Sequence, residues 1–105
     1  MTQFDVYPNP NKKTRQNFPY IVDIQNPIIN ELSTRLVIPL GNAKAFQNRA
    51  LNKLTPEIDY EGETYLLLTP QLTSMPVHLL QNPIGSLEAL REYIINAIDF
   101  AITGI

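Results

Sequence analysis

The segment SLEALREYIINAIDFAITG, residues 86–104, carries the clearest periodic pattern in the chain. Ser86 is a residue type that caps helices through its hydroxyl, and Gly104 is a common helix terminator. At 100° per residue, one side of this segment is apolar and consists of Leu87, Leu90, Ile94, Ala97, Ile98 and Ala101. The pattern predicts an amphipathic helix from Ser86 to about Thr103 that packs on a sheet.

The opposite side of this helix is polar and consists of Glu88, Glu92, Asn96, Asp99 and Thr103. Ile95 and Ile102 do not fit the division, because both project toward the border of the polar side. Exposed isoleucines beside a polar face are typical of a surface that binds a partner.

Short strands precede the helix. Alternating or continuous apolar runs predict strands at Gln3–Tyr7, Tyr20–Ile24, Arg35–Leu40 and Val77–Leu80, with Phe4 and Val6 on one face of the first and a frayed exit at Pro39 in the third. Glu61 and Gly62 predict a two-residue turn that joins strands Glu57–Tyr60 and Glu63–Leu68. Helical spacing predicts a short helix over Asn42–Leu54. Strands first and a helix last indicate an α+β or small-barrel fold in one domain, residues 1–105.

Residues 8–17, PNPNKKTRQN, contain no apolar side chain apart from their two prolines, so this segment predicts an exposed and mobile loop. Its basic residues Lys12, Lys13 and Arg15 form a charge cluster that can meet an acidic peptide or simply remain solvated.

The composition excludes several classes of function. The chain has 105 residues, a formal net charge of −2 and no cysteine, so it offers no long-range attraction to nucleic acid and no disulfide or thiolate metal site. No run approaches the roughly 20 apolar residues that span a bilayer, and no leader segment is visible, which favours a cytoplasmic protein. The four glycines are scattered, so no phosphate-binding loop and no cofactor are indicated.

Candidate catalytic residues are few. His78 is the only histidine and has no second clear ligand for a metal, so a solvent-facing or hydrogen-bonded role is favoured. The acidic residues Glu57, Asp59, Glu61 and Glu63 cluster at the predicted hairpin, where they keep an exposed edge soluble. Nothing in the residues identifies an enzyme.

Five segments in order resemble the CcdB toxin family: QFDVY at residues 3–7, YIVDIQ at 20–25, RLVIPL at 35–40, LTSMPV at 72–77 and INAIDFAITGI at 95–105. The resemblance covers essentially the full length and includes the family's Gly-Ile ending. It implies a small barrel-like antiparallel sheet of the kind shared by CcdB, Kid and MazF toxins, with an extra short sheet and a C-terminal helix.

The resemblance also implies a function. CcdB toxins are homodimers that bind the A subunit of DNA gyrase and trap the enzyme on cleaved DNA without being catalysts themselves. A CcdA-type antitoxin neutralises the toxin through a segment that folds on binding, and the two together repress their operon. Contact with DNA is therefore expected only through gyrase or the antitoxin, and no membrane is involved.

Carried over residue by residue, the family's gyrase-binding surface falls on Ile28, Ile29, Asp99, Ile102, Thr103, Gly104 and Ile105. Periodicity alone leaves Ile28 and Ile29 equally suited to the core or to an interface, and the resemblance favours the interface. Well-known members carry tryptophan where Thr103 stands and asparagine where Asp99 stands. We nominate Lys12, Lys13 and Arg15 for antitoxin binding.

Two alternatives stay open. MazF and Kid toxins share the fold and cut RNA, so fold alone does not separate a gyrase poison from an endoribonuclease. The acidic pI and the lack of a basic constellation around His78 stand against the nuclease. The changed residues Asp99 and Thr103 also allow a relic that binds antitoxin but no longer poisons gyrase.

Overall fold

The structure, a computed structural model, describes residues 2–26, 32–44 and 55–104. Within these ranges the chain forms seven strands followed by a helix: β1 (Asp5–Pro8), β2 (Tyr20–Asp23), β3 (Thr34–Asn42), β4 (Glu57–Tyr60), β5 (Glu63–Leu67), β6 (Thr73–Pro76), β7 (Gly85–Ser86) and α1 (Arg91–Thr103). Short 3₁₀ helices lie at Thr69–Gln71, Val77–Leu79 and Glu88–Leu90. The predicted α+β class with a C-terminal helix is confirmed.

The strands pair antiparallel in the order β4-β5-β3-β2-β1-β7, and β6 also pairs with β3. One edge of β3 pairs with β2, while its other edge pairs first with β6 and then with β5. The β4–β5 hairpin therefore branches from the end of β3 and belongs to the same sheet, where the resemblance implies a separate short one. The whole is a curled half-barrel.

Apolar side chains fill both faces of this sheet. The larger cluster lies between the sheet and α1 and includes Phe4, Val6, Val22, Ile38 and Ile94. A smaller cluster lies on the opposite face and consists of Tyr7, Ile21, Val37 and Leu80, with Met75 packed against it. The two faces follow from strand geometry, because successive side chains point to opposite sides.

The predicted hairpin is confirmed. Glu61 and Gly62 have φ values of 51° and 80°, the positive values that a type I′ turn requires at both central positions. Glycine adopts such a conformation without steric cost, so the local sequence determines the register of β4 and β5.

Several predicted strands have different bounds, and β5 ends at Leu67, one residue before its predicted end. β1 begins at Asp5 and not at Gln3, because Phe4 has a φ of 71° and the Asp5 amide closes a turn onto Thr2. Phe4 and Val6 nevertheless both lie in the larger core cluster, as predicted. β2 ends at Asp23, one residue before the predicted end.

The predicted frayed exit of β3 is wrong. The strand continues through Pro39, whose carbonyl accepts the Leu68 amide, and its last three residues pair with β5. The strand thus runs for nine residues, Thr34–Asn42, and is the longest in the described chain.

The predicted strand Val77–Leu80 is also wrong, because this segment begins with the 3₁₀ helix Val77–Leu79. The strand comes just before it, as β6, and its last residue pairs with Thr34 at the start of β3. The Val77 amide still donates to the Ser33 carbonyl, just before β3, and the chain then turns, with the Leu80 amide donating to the Val77 carbonyl.

The predicted terminal helix is confirmed in its end and corrected in its start. Gly104 has a φ of 75° and donates its amide to Phe100, which closes α1. The Ser86 hydroxyl accepts the Glu88 amide, but the residues that follow form a 3₁₀ helix before α1 begins at Arg91. No helix in the described ranges is long and apolar enough to cross a membrane.

Ile95 corrects the predicted division of the helix. It is partly buried against the larger core cluster and not exposed. The helix also contacts the 3₁₀ helix Thr69–Gln71, which widens its buried side beyond one stripe. Of the helix predicted over Asn42–Leu54, residues 45–54 lie outside the described residues.

Gly85 gives a stability test, because a methyl group there would overlap the Tyr60 hydroxyl. We expect Gly85→Ala to lower the free energy of unfolding by about 1–3 kcal/mol, the usual cost of overpacking. Urea denaturation measures it. In a Tyr60→Phe background the hydroxyl is absent, so Gly85→Ala should lower the free energy of unfolding by less. An equal loss in both backgrounds would contradict the overlap.

Candidate protein-binding surfaces

The last turn of α1 brings four of the predicted gyrase-binding residues together. Asp99, Ile102, Thr103 and Gly104 are all exposed, and we call them the terminal surface. Ile102 stands out because 73% of its surface is accessible, the largest value among the large apolar residues that the structure describes. This prediction from the sequence, an isoleucine outside the core beside a polar face, is confirmed for Ile102.

The polar side chains of this turn are partly engaged by the helix itself. The Thr103 hydroxyl donates to the Asp99 carbonyl over 2.6 Å. Such a bond back to residue i−4 is a common arrangement for threonine in helices. Gly104 has open space on the side where a Cβ would be, so a partner can approach its backbone.

The other predicted gyrase-binding residues, Ile28, Ile29 and Ile105, lie outside the described residues. Their role stays a prediction. The last described residues before Ile28 and Ile29 in the sequence are Gln25 and Asn26. The first described residue after them is Leu32, which is half exposed.

The predicted basic loop is exposed from Asn11 to Asn17, and its base is ordered by one buried side chain, that of Asn9. The Asn9 amide group donates to the Thr14 hydroxyl over 3.0 Å and to the Phe18 carbonyl over 2.8 Å. Its oxygen accepts the Asn11 amide over 2.9 Å. The composition predicts that this loop is wholly exposed, and the burial of Asn9 corrects that prediction.

The three basic residues of the loop are not equivalent. Lys12 and Lys13 are exposed side chains at its tip. The Arg15 Nε donates to the Asn9 carbonyl over 2.8 Å, so part of this guanidinium holds the loop together. The two lysines are therefore the cations whose charge is most available to a partner.

A groove of about 280 Å³ lies between this loop and the sheet. Its wall is contributed from the loop by Asn11, Thr14 and Phe18, and from the sheet by Ile21, Val37 and Met75. Since Ile21 and Val37 belong to the smaller core cluster, the groove lies on the face of the sheet opposite to α1. The basic loop therefore borders one face of the sheet, and α1 covers the other.

A buried ion pair on that same face was missed by the sequence analysis. Arg35 and Asp23 have 2% and 0% of their side chains accessible, and the Arg35 Nε and Nη2 both lie 2.9 Å from Asp23 Oδ2. The other Asp23 oxygen accepts the Gln25 amide over 2.8 Å, and Arg35 Nη2 donates to the Gln25 carbonyl over 3.1 Å. We call these three residues the buried polar cluster.

Burial affects the titration of this cluster. Desolvation raises the pKa of the Asp23 carboxyl above its usual range, while the Gln25 amide and the Arg35 guanidinium oppose that shift by stabilising the carboxylate. Burial likewise raises the pKa of Tyr7, with Asp5 and Asp23 adding to the effect. The Tyr7 hydroxyl is buried and has no hydrogen-bond partner among the described residues.

A sequence signal for the cluster exists, although it is weak. Asp23 shares the alternation of buried Ile21, and Arg35 shares that of buried Val37. A charged residue at a core position of a strand is unusual unless it is paired. The signal becomes clear only when two such residues lie on neighbouring strands, and the pairing of β2 with β3 shows that they do.

The residues considered for catalysis stay dispersed. His78 is exposed in a 3₁₀ helix, and its carbonyl accepts the Gln81 side chain over 2.9 Å. Within the described ranges no three histidine or acidic side chains form a group that could hold a metal. The acidic residues of the β4–β5 hairpin are exposed, and Asp59 accepts the Thr64 hydroxyl over 2.8 Å.

One comparison with known proteins bears on these surfaces. The sequence model of the CcdB protein family matches residues 3–104, which is nearly the whole chain. The terminal surface, the basic loop and the buried polar cluster all lie within the matched range.

The buried ion pair predicts a large effect of one neutral substitution. Asp23→Asn leaves the Arg35 charge buried without its counter-ion, so we expect the free energy of unfolding to fall by about 3–5 kcal/mol. Asp59→Asn is the matched control at an exposed position of β4 and should cost less than about 1 kcal/mol. Equal midpoints for both variants in urea denaturation would show that the Asp23 pair has no special weight.

Proposed function

The chain belongs to the CcdB family of toxin–antitoxin toxins, and on this premise we propose that it poisons DNA gyrase by binding the gyrase A subunit. The bound toxin would hold gyrase on cleaved DNA, so that its effect comes from binding and not from a reaction of its own. A CcdA-type antitoxin would neutralise it, and the pair would repress their operon.

Ile102 is the observation that supports the gyrase proposal most directly. A largely exposed isoleucine on the last turn of a helix has no role in the core of this chain and offers an apolar side chain to a partner. It lies among the positions that correspond to the family's gyrase contacts. Asp99, Thr103 and Gly104 complete the described part of that surface.

The arrangement of His78 favours a binding protein over the endoribonuclease alternative. Phosphoryl transfer needs an acid–base group surrounded by donors that stabilise the developing charge. The side chain of His78 is exposed on a short turn, and the cations Lys12 and Lys13 belong to a separate loop. The net charge of −2 further disfavours RNA as a primary partner.

Homodimer formation is part of the proposal. A two-fold axis would present two copies of the terminal surface to the two A subunits of gyrase, which are themselves related by symmetry. Analytical ultracentrifugation of the free protein gives its oligomeric state.

Purified gyrase tests the proposal directly. We expect added protein to inhibit supercoiling and to cause linear, cleaved plasmid to accumulate, while a parallel assay shows intact RNA. Cleaved RNA would establish the nuclease instead. Antitoxin binding with neither activity would identify a relic that no longer poisons gyrase.

A charged residue on the terminal surface should abolish gyrase poisoning without unfolding the protein. We expect Ile102→Glu to weaken binding to the gyrase A subunit by about 30-fold or more, because a hot-spot contact is worth at least about 2 kcal/mol and a carboxylate resists desolvation. Thr103→Glu should act in the same direction. Growth inhibition and calorimetric titration measure the effect.

Ala89→Glu is the matched control, since it adds the same charge at an exposed position before the other end of the helix. It should keep wild-type toxicity. An Ile102→Glu variant that still kills cells at equal expression would remove the terminal surface from the proposal.

The basic loop and the groove beneath it support an antitoxin site. An acidic peptide that binds there can place an apolar side chain between Phe18 and Met75 and a carboxylate near Lys12 and Lys13. Arg15 would contribute by holding the loop in shape through its bond to Asn9.

The charge of the two lysines makes a measurable prediction. Lys12→Gln/Lys13→Gln should weaken antitoxin binding by about 5-fold at low salt, since each exposed ion pair contributes about 0.2–1 kcal/mol, and the difference should shrink as salt rises. Lys44→Gln, another exposed lysine, serves as the control. Unchanged affinity in the double variant would place the antitoxin elsewhere.

A further inference from the structure

Gln25 is held by two bonds to its backbone and one to its side chain. Its amide donates to Asp23, its carbonyl accepts from Arg35, and its side-chain oxygen accepts the Leu36 amide over 3.4 Å. Gln25 itself is buried, with 7% of its surface accessible. This is an unusual density of contacts for a residue that follows the end of a strand.

The same contacts join both ends of one connection. Asp23 is the last residue of β2, and Arg35 is the second residue of β3. The Ile24 amide also donates to the Leu36 carbonyl over 2.9 Å. The chain that leaves β2 and the chain that returns as β3 are thus tied together at the base of the connection.

Stability alone is a weak reason for this arrangement. Burying two charges costs desolvation free energy, and an apolar pair of similar volume is often as stable or more stable. What an apolar pair lacks is the ability to bond the Gln25 amide and carbonyl. The cluster therefore adds a fixed backbone direction at Gln25 that packing would not supply.

Ile28 and Ile29 follow Gln25 closely in the sequence, and both belong to the surface proposed above for gyrase. We propose that Asp23 and Arg35 are positioning residues for gyrase binding, which act by fixing the backbone at Gln25 without touching the partner. This inference rests on the proposed function. The pair holds the backbone at Gln25 in the direction that the gyrase complex requires. Gyrase then does not have to select that direction from other backbone conformations.

The test uses Asp23→Leu/Arg35→Met, which removes both charges at similar volume. Circular dichroism and urea denaturation establish that the variant is folded. We expect the amide of Gln25 to exchange with solvent at least 10-fold faster than in the wild type. If the required direction is then populated only about one-tenth of the time, the affinity for the gyrase A subunit falls about 10-fold.

Ile58→Val is the control for an effect of lost stability alone. It weakens the buried core at β4, away from the connection, and should leave gyrase affinity unchanged. Antitoxin affinity, measured on the same samples, should be unchanged in both variants. If the double variant binds gyrase as the wild type does, the inference is wrong even if exchange at Gln25 is faster.

Arg35→Lys is the second variant, for use if the double variant does not fold. Lysine keeps the charge opposite Asp23 but has a single donor nitrogen, whereas Arg35 bonds Asp23 through both Nε and Nη2 while Nη2 also reaches the Gln25 carbonyl. We expect weaker gyrase binding, while the Gln25 amide, still bonded to Asp23, keeps most of its protection from exchange. Wild-type affinity would overturn the inference. Absence of gyrase binding by the wild type would instead contradict the proposed function, and the positioning role would fall with it.

Discussion

The alternation of side chains along β3 assigns its residues to the two buried faces of the sheet. Ile38 and Leu40 point to the face covered by α1, while Arg35 and Val37 point to the opposite face. Because β3 pairs with β2 on one edge and with both β6 and β5 on the other, its register fixes four strands at once. A shift by one residue would place Arg35 among the larger core cluster and Ile38 against the groove.

Elements whose signals are local were predictable from the sequence. The Glu61–Gly62 turn and the Gly104 terminator depend on backbone conformations that neighbouring residues specify, and both are as predicted. Helical period predicts exposure for both Ile95 and Ile102, and only Ile102 is exposed. Val77–Leu80 has the apolar residues of a strand, yet the strand that pairs with β3 ends at Pro76 and a 3₁₀ helix follows it.

The parts that sequence reasoning missed are those that depend on contacts between distant residues. Asp23 and Arg35 are twelve positions apart, and each resembles an ordinary charged residue until the sheet places them together. Asn9 belongs to a segment whose composition indicates solvent exposure, yet its amide group satisfies several loop atoms at once. Buried polar networks of this kind must be complete to be tolerated, so composition gives little warning of them.

The gyrase interface proposed at the end of α1 would use a different apolar contact from that of well-known members of the family. Where well-known members of the family carry a tryptophan, Thr103 turns its hydroxyl back to the Asp99 carbonyl and leaves little more than a methyl group for a partner. The largest apolar area on this turn then belongs to Ile102, one position earlier and about 100° around the helix. A partner that approaches the same turn would find its apolar contact displaced around the axis, and the carboxylate of Asp99 would accept but not donate hydrogen bonds. We therefore expect the proposed interface to be smaller and displaced around the axis of α1. Its affinity for gyrase then depends on how firmly Ile102 and the segment after Gln25 are held in place.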